Sequence, residues 1–271
     1  MRETHVIREY RNNYRENIMG NRSISIVAAM LGVTIFMLAG AARAAEINVL
    51  ASMAVKEFYL ELVPQFERAS KHKVVTSWAG TADIMKRMKA GESVDVVIIA
   101  VKSLDELTHL GKIVPGSRVD LAKSGVGVAV RAGAPKPDIS SGDALKRALL
   151  SAKSIAYSSG PSGVYIAGLF QRWGIADELK PKLKQVASGV NIGEAIARGE
   201  FEIGFQQVSE LVHIAGIDFL GPLPKDIQLV TVFSSGIHTG AKQPDAARAL
   251  VKFLTAPAAA PVIRKNGMEP G

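Results

Sequence analysis

The sequence contains no cysteine, and aromatic residues make up 6% of it. Without cysteine there is no disulfide framework and no thiolate metal site, and a lipid-anchored lipoprotein is excluded because its anchor is attached to a cysteine. The five histidines, at positions 5, 72, 109, 213 and 238, match no metal-binding spacing. We therefore expect no cofactor and no metal cation held directly by protein ligands.

Motifs for nucleic-acid binding and for catalysis are also missing. Basic residues occur in scattered pairs without the interleaved aromatic side chains that stack on bases, so no nucleic-acid partner is expected. Residues 160–164 have valine where a hydrolase nucleophile elbow ends in glycine, and residues 125–127 lack the third glycine of a dinucleotide fingerprint. We expect a binding protein and not an enzyme.

One long apolar run is present near the N-terminus. Residues 23–42 carry no charge, and Ala42-Arg43-Ala44 follows the A-x-A pattern that a signal peptidase recognises. We predict a signal peptide over residues 1–44, cleaved before Ala45, and hence a periplasmic protein. The alternative is an uncleaved anchor, since about 20 apolar residues can span a bilayer. Met19 is an alternative start, because Arg22 would then directly precede the run.

Removal of this leader leaves 227 residues, enough for one large domain or two lobes of about 100 residues each. The leader takes six of the 33 basic and three of the 25 acidic residues, so the remainder has a net charge of +5. This mild excess is typical of a protein with scattered, solvated charges and does not point to a polyanionic partner.

From Ala45 onward, short apolar runs alternate with segments of helical periodicity, which indicates an α/β fold. Strands are predicted over 46–50, 73–78, 94–100, 119–130, 154–157, 184–187 and 202–205, with return segments at 231–233 and 236–238. Helices are predicted over 55–66, where Pro64 marks a kink or break, and over 81–90, 142–150, 163–173, 175–183 and 192–198, with two more after residue 244.

The glycine- and proline-rich stretch 131–137 divides two such α/β units, and the chain crosses back near residue 232. We predict lobe 1 over 45–130, lobe 2 over 131–231 and a return to lobe 1 over 232–271. Two lobes joined by two extended strands leave a cleft between them, which is the expected ligand site.

Several short segments, in this order, resemble the periplasmic molybdate-binding proteins of ABC importers. The segments are 49–54, 62–67, 91–98, 113–118, 160–165, 179–183, 196–200 and 244–250. Together they cover nearly all of the chain after the leader. The resemblance implies a two-lobe type II periplasmic binding fold, a monomer, and a receptor that presents molybdate or tungstate to an ABC permease in the inner membrane.

Members of that family hold the oxyanion with neutral donors, which are serine hydroxyls and main-chain N–H groups at helix starts. Carried over by position, the resemblance implies that Ser52 and Thr81 act as hydroxyl donors and Ser162 as a main-chain donor. Gly189 or Val190 supplies another main-chain N–H. Residue 80, next to Thr81, is glycine where the family has a further serine.

The main departure lies at Gln207, which stands beside Gln206 where the family has a tyrosine that binds the oxyanion. An amide accepts as well as donates hydrogen bonds, so Gln207 admits a ligand of mixed character. Another small anion, an organic acid, or a sensor-type role for the same exported fold therefore stays open beside molybdate.

Overall fold

A computed structural model describes residues 44–271 of the chain. The predicted signal peptide, its apolar run and the alternative start at Met19 lie outside the described residues. The ten strands of the described part are β1 Glu46–Ser52, β2 Lys73–Ala79, β3 Val96–Ala100, β4 Val119–Arg131, β5 Ile155–Tyr157, β6 Leu183–Gln185, β7 Ile203–Gln207, β8 Ile217–Pro222, β9 Val230–Ile237 and β10 Glu269–Pro270.

The α-helices of the same part number ten. They are α1 Lys56–Ser70, α2 Thr81–Lys89, α3 Val101–His109, α4 Gly142–Ser151, α5 Pro161–Arg172, α6 Ala176–Leu179, α7 Ile192–Ala197, α8 Val208–Leu211, α9 Pro244–Leu254 and α10 Ala260–Lys265. Among these helices no single one is long and apolar enough to cross a membrane; α9 and the adjoining Pro257–Lys265 segment pass that test only as a pair, bent by 55°.

The strands follow one another in the order β2-β1-β3-β9-β4-β7-β5-β6, with β8 and β10 also paired to β4. Strands β1, β2 and β3 run parallel, as do β5, β6 and β7. Each parallel set forms the centre of one lobe. The carboxyl ends of parallel strands are where open α/β sheets bind ligands, so the topology places a candidate site at the loops that follow these strands.

Strands β4 and β9 connect the lobes. The first part of β4 pairs with β9, at residues 119–125, and its second part pairs with β7 and β8 in the other lobe, at residues 126–131. These two antiparallel strands are the predicted crossing strands. The return strand predicted from residues 231–233 and 236–238 is one continuous strand, Val230–Ile237.

Separate hydrophobic cores support the two lobes. Helix α1 buries Phe58, Leu62 and Phe66 against the first sheet, where they pack with Leu250 of α9. In the second lobe, the ring of Phe170 on α5 meets that of Phe205 on β7 at a centroid distance of 6.2 Å. Each lobe therefore has a hydrophobic core of its own.

The structure corrects two helix predictions and adds elements that were not predicted, namely helices α3 and α8 and strands β8 and β10. Helix α1 continues through Pro64. Pro64 itself is exposed, whereas Val63 before it and Phe66 after it are buried. The helix predicted over 175–183 ends at Leu179 and continues as a 3-10 turn, because Pro181 has no N–H to donate. Helix α3 was not predicted, since it follows β3 directly and no described side chain caps it.

Asp95 joins three segments of the first lobe. Its buried carboxylate accepts hydrogen bonds from the main-chain N–H of Asn48 at 2.8 Å and from those of Lys242 and Gln243 at 2.7 and 2.8 Å. The acceptor thus fixes β1 to the turn that starts α9. Charge-assisted hydrogen bonds of this kind are among the strong ones in proteins.

We predict that Asp95→Ala lowers the free energy of unfolding by about 2–4 kcal/mol, because three donors lose a charged acceptor. Urea denaturation followed by circular dichroism measures this change. The matched control is Asp105→Ala, which removes an exposed 3.3 Å ion pair to Arg118 and is expected to cost less than about 1 kcal/mol. Equal losses in the two variants would contradict the role of Asp95.

Candidate functional site

A cavity lies where the loops that follow the parallel strands of both lobes meet. Its lining consists of Ser52, Met53, Ala54, Gly80 and Thr81 from the first lobe, Phe233 from β9, and Ser158–Ser162, Ala187–Val190, Gln206, Gln207 and Glu210 from the second. The structure therefore brings together all six residues predicted from the sequence. None of the described lining residues is Lys, Arg or His, so the cavity offers neutral donors.

In the first lobe, donors come from the ends of β1 and β2. Ser52 is buried and its hydroxyl oxygen accepts a hydrogen bond from the N–H of Ala54 at 3.4 Å, which leaves its proton available to another acceptor. Thr81 is the first residue of α2. Within the described chain no side chain caps that helix start, so its first-turn N–H groups lack partners.

In the second lobe, α5 begins at the cavity with Pro161. Its N-cap is Gly160, and no described side chain caps the helix, so the first-turn N–H groups of Ser162 and Gly163 have no intrahelical acceptor. The Ser162 hydroxyl is paired with that of Ser158 at 3.0 Å. A Cβ at residue 163 would collide with the Ser158 carbonyl oxygen, which explains the glycine there.

The loop after β6 adds a third set of donors. The N–H of Val190 donates to the Ala187 carbonyl at 3.2 Å, whereas the N–H of Gly189 has no acceptor among the described residues. Gly189 is thus the freer of the two main-chain donors that the sequence left undecided. Its φ of 82° lies in the left-handed region, which glycine adopts without strain.

Gly80 and Ser188 face each other across the cleft. A Cβ at residue 80 would collide with the Ser188 hydroxyl and would lie 2.9 Å from the Gly189 nitrogen. Glycine at this position therefore allows the lobes to approach closely. The Ser188 hydroxyl oxygen is buried without a hydrogen-bond partner in the described structure. Residue 80 has no hydroxyl of its own, and the hydroxyl of Ser188 from the opposite lobe lies next to it.

The side chain of Gln207 is held by the crossing strands. In the amide orientation that satisfies every partner, its nitrogen donates to the carbonyls of Ser124 and Gly125 at 3.2 Å each, and its oxygen accepts from Thr231 at 3.1 Å. Both N–H groups are thus used by β4. Gln207 lines the cavity, but its amide connects β4 to β9 where the two lobes meet.

Glu210 is the one ionisable side chain among the described residues that line the cavity. Burial raises the pKa of this carboxyl to about 7, an effect opposed by hydrogen bonds from the Gln206 amide and the Gln207 N–H. Gln206 is itself fixed, because its side-chain oxygen accepts from the N–H of Ile192 at 2.8 Å while its nitrogen donates to Glu210 at 2.9 Å.

An outer pocket adjoins the cavity on the side of Glu210. It shares Met53, Gly189, Val190 and Glu210 with the cavity and adds charged side chains of both signs, namely Lys56, Glu57, Glu194, Arg198 and His213. Its charges largely balance. In residues 44–271, no cluster of three or more His, Asp or Glu side chains is arranged to hold a metal ion.

Sequence reasoning missed Ser188 and Glu210 as cavity residues. Ser188 lies in a loop without periodicity, and its partner surface at Gly80 is 108 positions away in the chain. Glu210 sits at the third position of the four-residue helix α8, whose N-cap is Gln207. That spacing is half of a capping box, a pattern that indicates a helix start more often than a ligand site.

Comparison with known proteins identifies relatives. The chain is 37% identical over 230 residues to an aconitate isomerase of Pseudomonas sp.. This alignment covers 83% of the chain and 87% of the relative. It is 31% identical over 255 residues to the molybdate-binding protein ModA of Azotobacter vinelandii, with 90% and 97% covered. The solved periplasmic molybdate-binding protein of Azotobacter vinelandii superposes with a TM-score of 0.71 at 20% identity, over 83% of this chain and 99% of that one.

These relatives confirm the resemblance to periplasmic molybdate-binding proteins and the two-lobe type II periplasmic binding fold. A family model described as bacterial extracellular solute-binding protein matches residues 47–269, almost all of the described chain. Proteins of this family are exported and bind small ligands. The chain belongs to the bacterial extracellular solute-binding protein family.

Proposed function

We propose that the protein is the receptor of an ABC importer and that its cleft captures a small anion with oxygen acceptors. The observation that carries this proposal is the convergence of uncapped helix starts from both lobes on one cavity without a lining cation. Helix starts offer unpaired N–H groups and a partial positive charge, so they hold an anion without a salt bridge.

The proposed ligand contacts are the hydroxyls of Ser52, Thr81 and Ser188 and the main-chain N–H groups at Ser162 and Gly189. Residues from both lobes are needed, and Gly80 of the first lobe lies against Ser188 and Gly189 of the second. Ligand binding therefore favours the closed form, which is the form that a permease partner would recognise. We assign Gln207 a role at the hinge in place of direct ligand contact.

Among small anions, we favour the carboxylate of an organic acid. Glu210 lines the cavity, and near neutral pH part of its population is ionised. Its repulsion falls with the distance to the ligand charge, so molybdate, which concentrates two charges on one small group, is penalised more than an organic acid whose carboxylates are spread over several carbons. The 37% identity to an aconitate isomerase agrees with a carboxylate ligand.

Molybdate or tungstate is the second candidate ligand. It is favoured by the neutral hydroxyl and amide donors of the cavity and by the 31% identity to a molybdate-binding protein.

Isomerisation of a bound unsaturated acid is a further candidate function, favoured by the name of the more similar relative and by a proton-exchanging group in the cavity wall. A sensor role remains the rival to transport.

The ligand class is tested by thermal unfolding of the ligand-free protein with molybdate, tungstate, sulfate, citrate and the cis and trans forms of aconitate. A ligand at about 100 times its dissociation constant adds about 2.7 kcal/mol of stability, which gives a clear upward shift. We expect shifts with the carboxylic acids. Shifts with molybdate and tungstate alone would restore the molybdate assignment, and no shift with any anion would refute anion binding.

The double variant Ser52→Ala with Thr81→Ala tests the donors. Each lost hydrogen bond to a charged ligand costs about 1.5–3 kcal/mol, so affinity measured by calorimetry should fall by about 10²–10⁴-fold. The matched control is Ser93→Ala with Thr108→Ala, which removes hydroxyls bonded to the carbonyls of Gly240 and Leu104, away from the cavity. Retained affinity in the first variant would overturn these contacts.

Anion affinity should also depend on pH. Because the pKa of Glu210 is raised to about 7, the carboxyl is neutral below that pH and ionised above it, and the ionised form repels the ligand. We predict that affinity decreases by up to about tenfold per pH unit above 7. Glu210→Gln should flatten this dependence. An unchanged pH profile in Glu210→Gln would contradict the prediction.

A further inference from the structure

Glu210 occupies a boundary position that binding alone does not require. Its side chain lines both the neutral cavity and the outer pocket, so it faces any ligand that extends from one into the other. The donors identified above, Ser52, Thr81, Ser162 and Gly189, line the same cavity. The Glu210 carboxyl group therefore lies beside the proposed anion site.

The orientation of Glu210 is fixed by a neighbouring amide. The Gln206 side chain donates to one carboxyl oxygen of Glu210 at 2.9 Å. Gln206 is 3% exposed and is held in turn by the N–H of Ile192. A proton-transfer group needs this kind of fixed geometry before its acidity matters.

The acidity of Glu210 suits the same task. A carboxyl whose pKa is raised to about 7 by burial is present in both protonation states near neutral pH. It can therefore accept a proton and give it back at little cost in free energy. The charged groups that face it from the outer pocket are Lys56, Glu57, Glu194, Arg198 and His213.

We propose that Glu210 is a catalytic residue that exchanges a proton with a carbon atom of a bound unsaturated carboxylic acid. The inference rests on the proposed function, since it needs a carboxylate ligand in the cavity. It assigns the cleft an activity on its ligand in addition to capture, and it makes Gln206 the positioning residue for that activity.

The step balances without an oxidant, a reductant or a second substrate. Ionised Glu210 takes a proton from a CH₂ group next to a carbon–carbon double bond that carries a carboxylate; the C–H bond breaks and an O–H bond forms. The electron pair spreads over three carbons and the carboxylate, whose growing negative charge is stabilised by the hydroxyl and N–H donors. Protonated Glu210 then returns the proton to either end of the three-carbon system.

Return to the original carbon regenerates the ligand, and return to the other end moves the double bond. When the reaction is run in deuterated water and protonated Glu210 exchanges with solvent before it returns its proton, deuterium enters the ligand in both cases. Deuterium incorporation thus reports the proton transfer itself, even where the equilibrium hides a net conversion. If Glu210 were only a helix cap, the Glu210→Gln variant would incorporate deuterium as fast as the wild-type protein.

The experiment follows the cis and trans forms of aconitate by proton NMR in deuterated water with the purified protein, its Glu210→Gln variant and a Glu194→Gln control. Gln keeps the size of the Glu side chain and one acceptor oxygen, and it removes the ionisable carboxyl group. Glu194 is the matched control because it lines the outer pocket but not the cavity. Calorimetry on the same samples measures affinity.

We expect the wild-type protein and Glu194→Gln to incorporate deuterium, and Glu210→Gln to lose at least about 100-fold of the rate while it still binds the acid. The wild-type rate at saturating ligand should rise with pH through about 7. Binding with neither deuterium incorporation nor interconversion of the two acids in the wild type, or undiminished rates in Glu210→Gln, would overturn this inference and leave the receptor proposal intact. Failure to bind either acid would instead refute the carboxylate ligand.

Discussion

Main-chain N–H groups at the starts of α2 and α5 need an acceptor that the described chain does not provide. Buried donors without a partner cost free energy, so a helix start that lines a cavity favours an anion. The other features of the site follow from this constraint. Serine and threonine hydroxyls add donors without adding charge, and glycines at 80 and 163 remove the Cβ atoms that would block the close approaches. The proposed anion site therefore requires no lining cation.

The same constraint connects binding to motion. Two of the proposed donor residues belong to the first lobe and three to the second, and the lobes are joined by β4 and β9. Gln207 holds both strands through its amide while its neighbour Gln206 positions Glu210. Two adjacent glutamines at the end of β7 thus serve different purposes, one at the hinge and one at the cavity wall. A tyrosine side chain in place of Gln207 would have one O–H donor, so it could not donate to both of the β4 carbonyls that the amide now serves.

Much of the fold was predictable, because apolar periodicity marks the strands and helices whose faces are buried. The six predicted site residues lie at one cavity because they follow the carboxyl ends of parallel strands, a regularity that sequence order reveals. What failed depends on tertiary context. Burial on both sides of Pro64 keeps α1 continuous, and α3 starts without a cap directly after β3. Ser188 and Glu210 acquire their roles only when the second lobe meets the first, so no local pattern announces them.

The central claim is that main-chain N–H groups at two helix starts hold the anion. Amide NMR with uniformly ¹⁵N-labelled protein tests it directly, because an N–H that donates to an anion shifts downfield. Titration with the anion that raises the unfolding temperature most should shift the amides of Thr81, Ala82, Ser162, Gly163 and Gly189 well beyond those of α9 and α10. Saturation of the protein without any downfield shift at these amides would contradict the account.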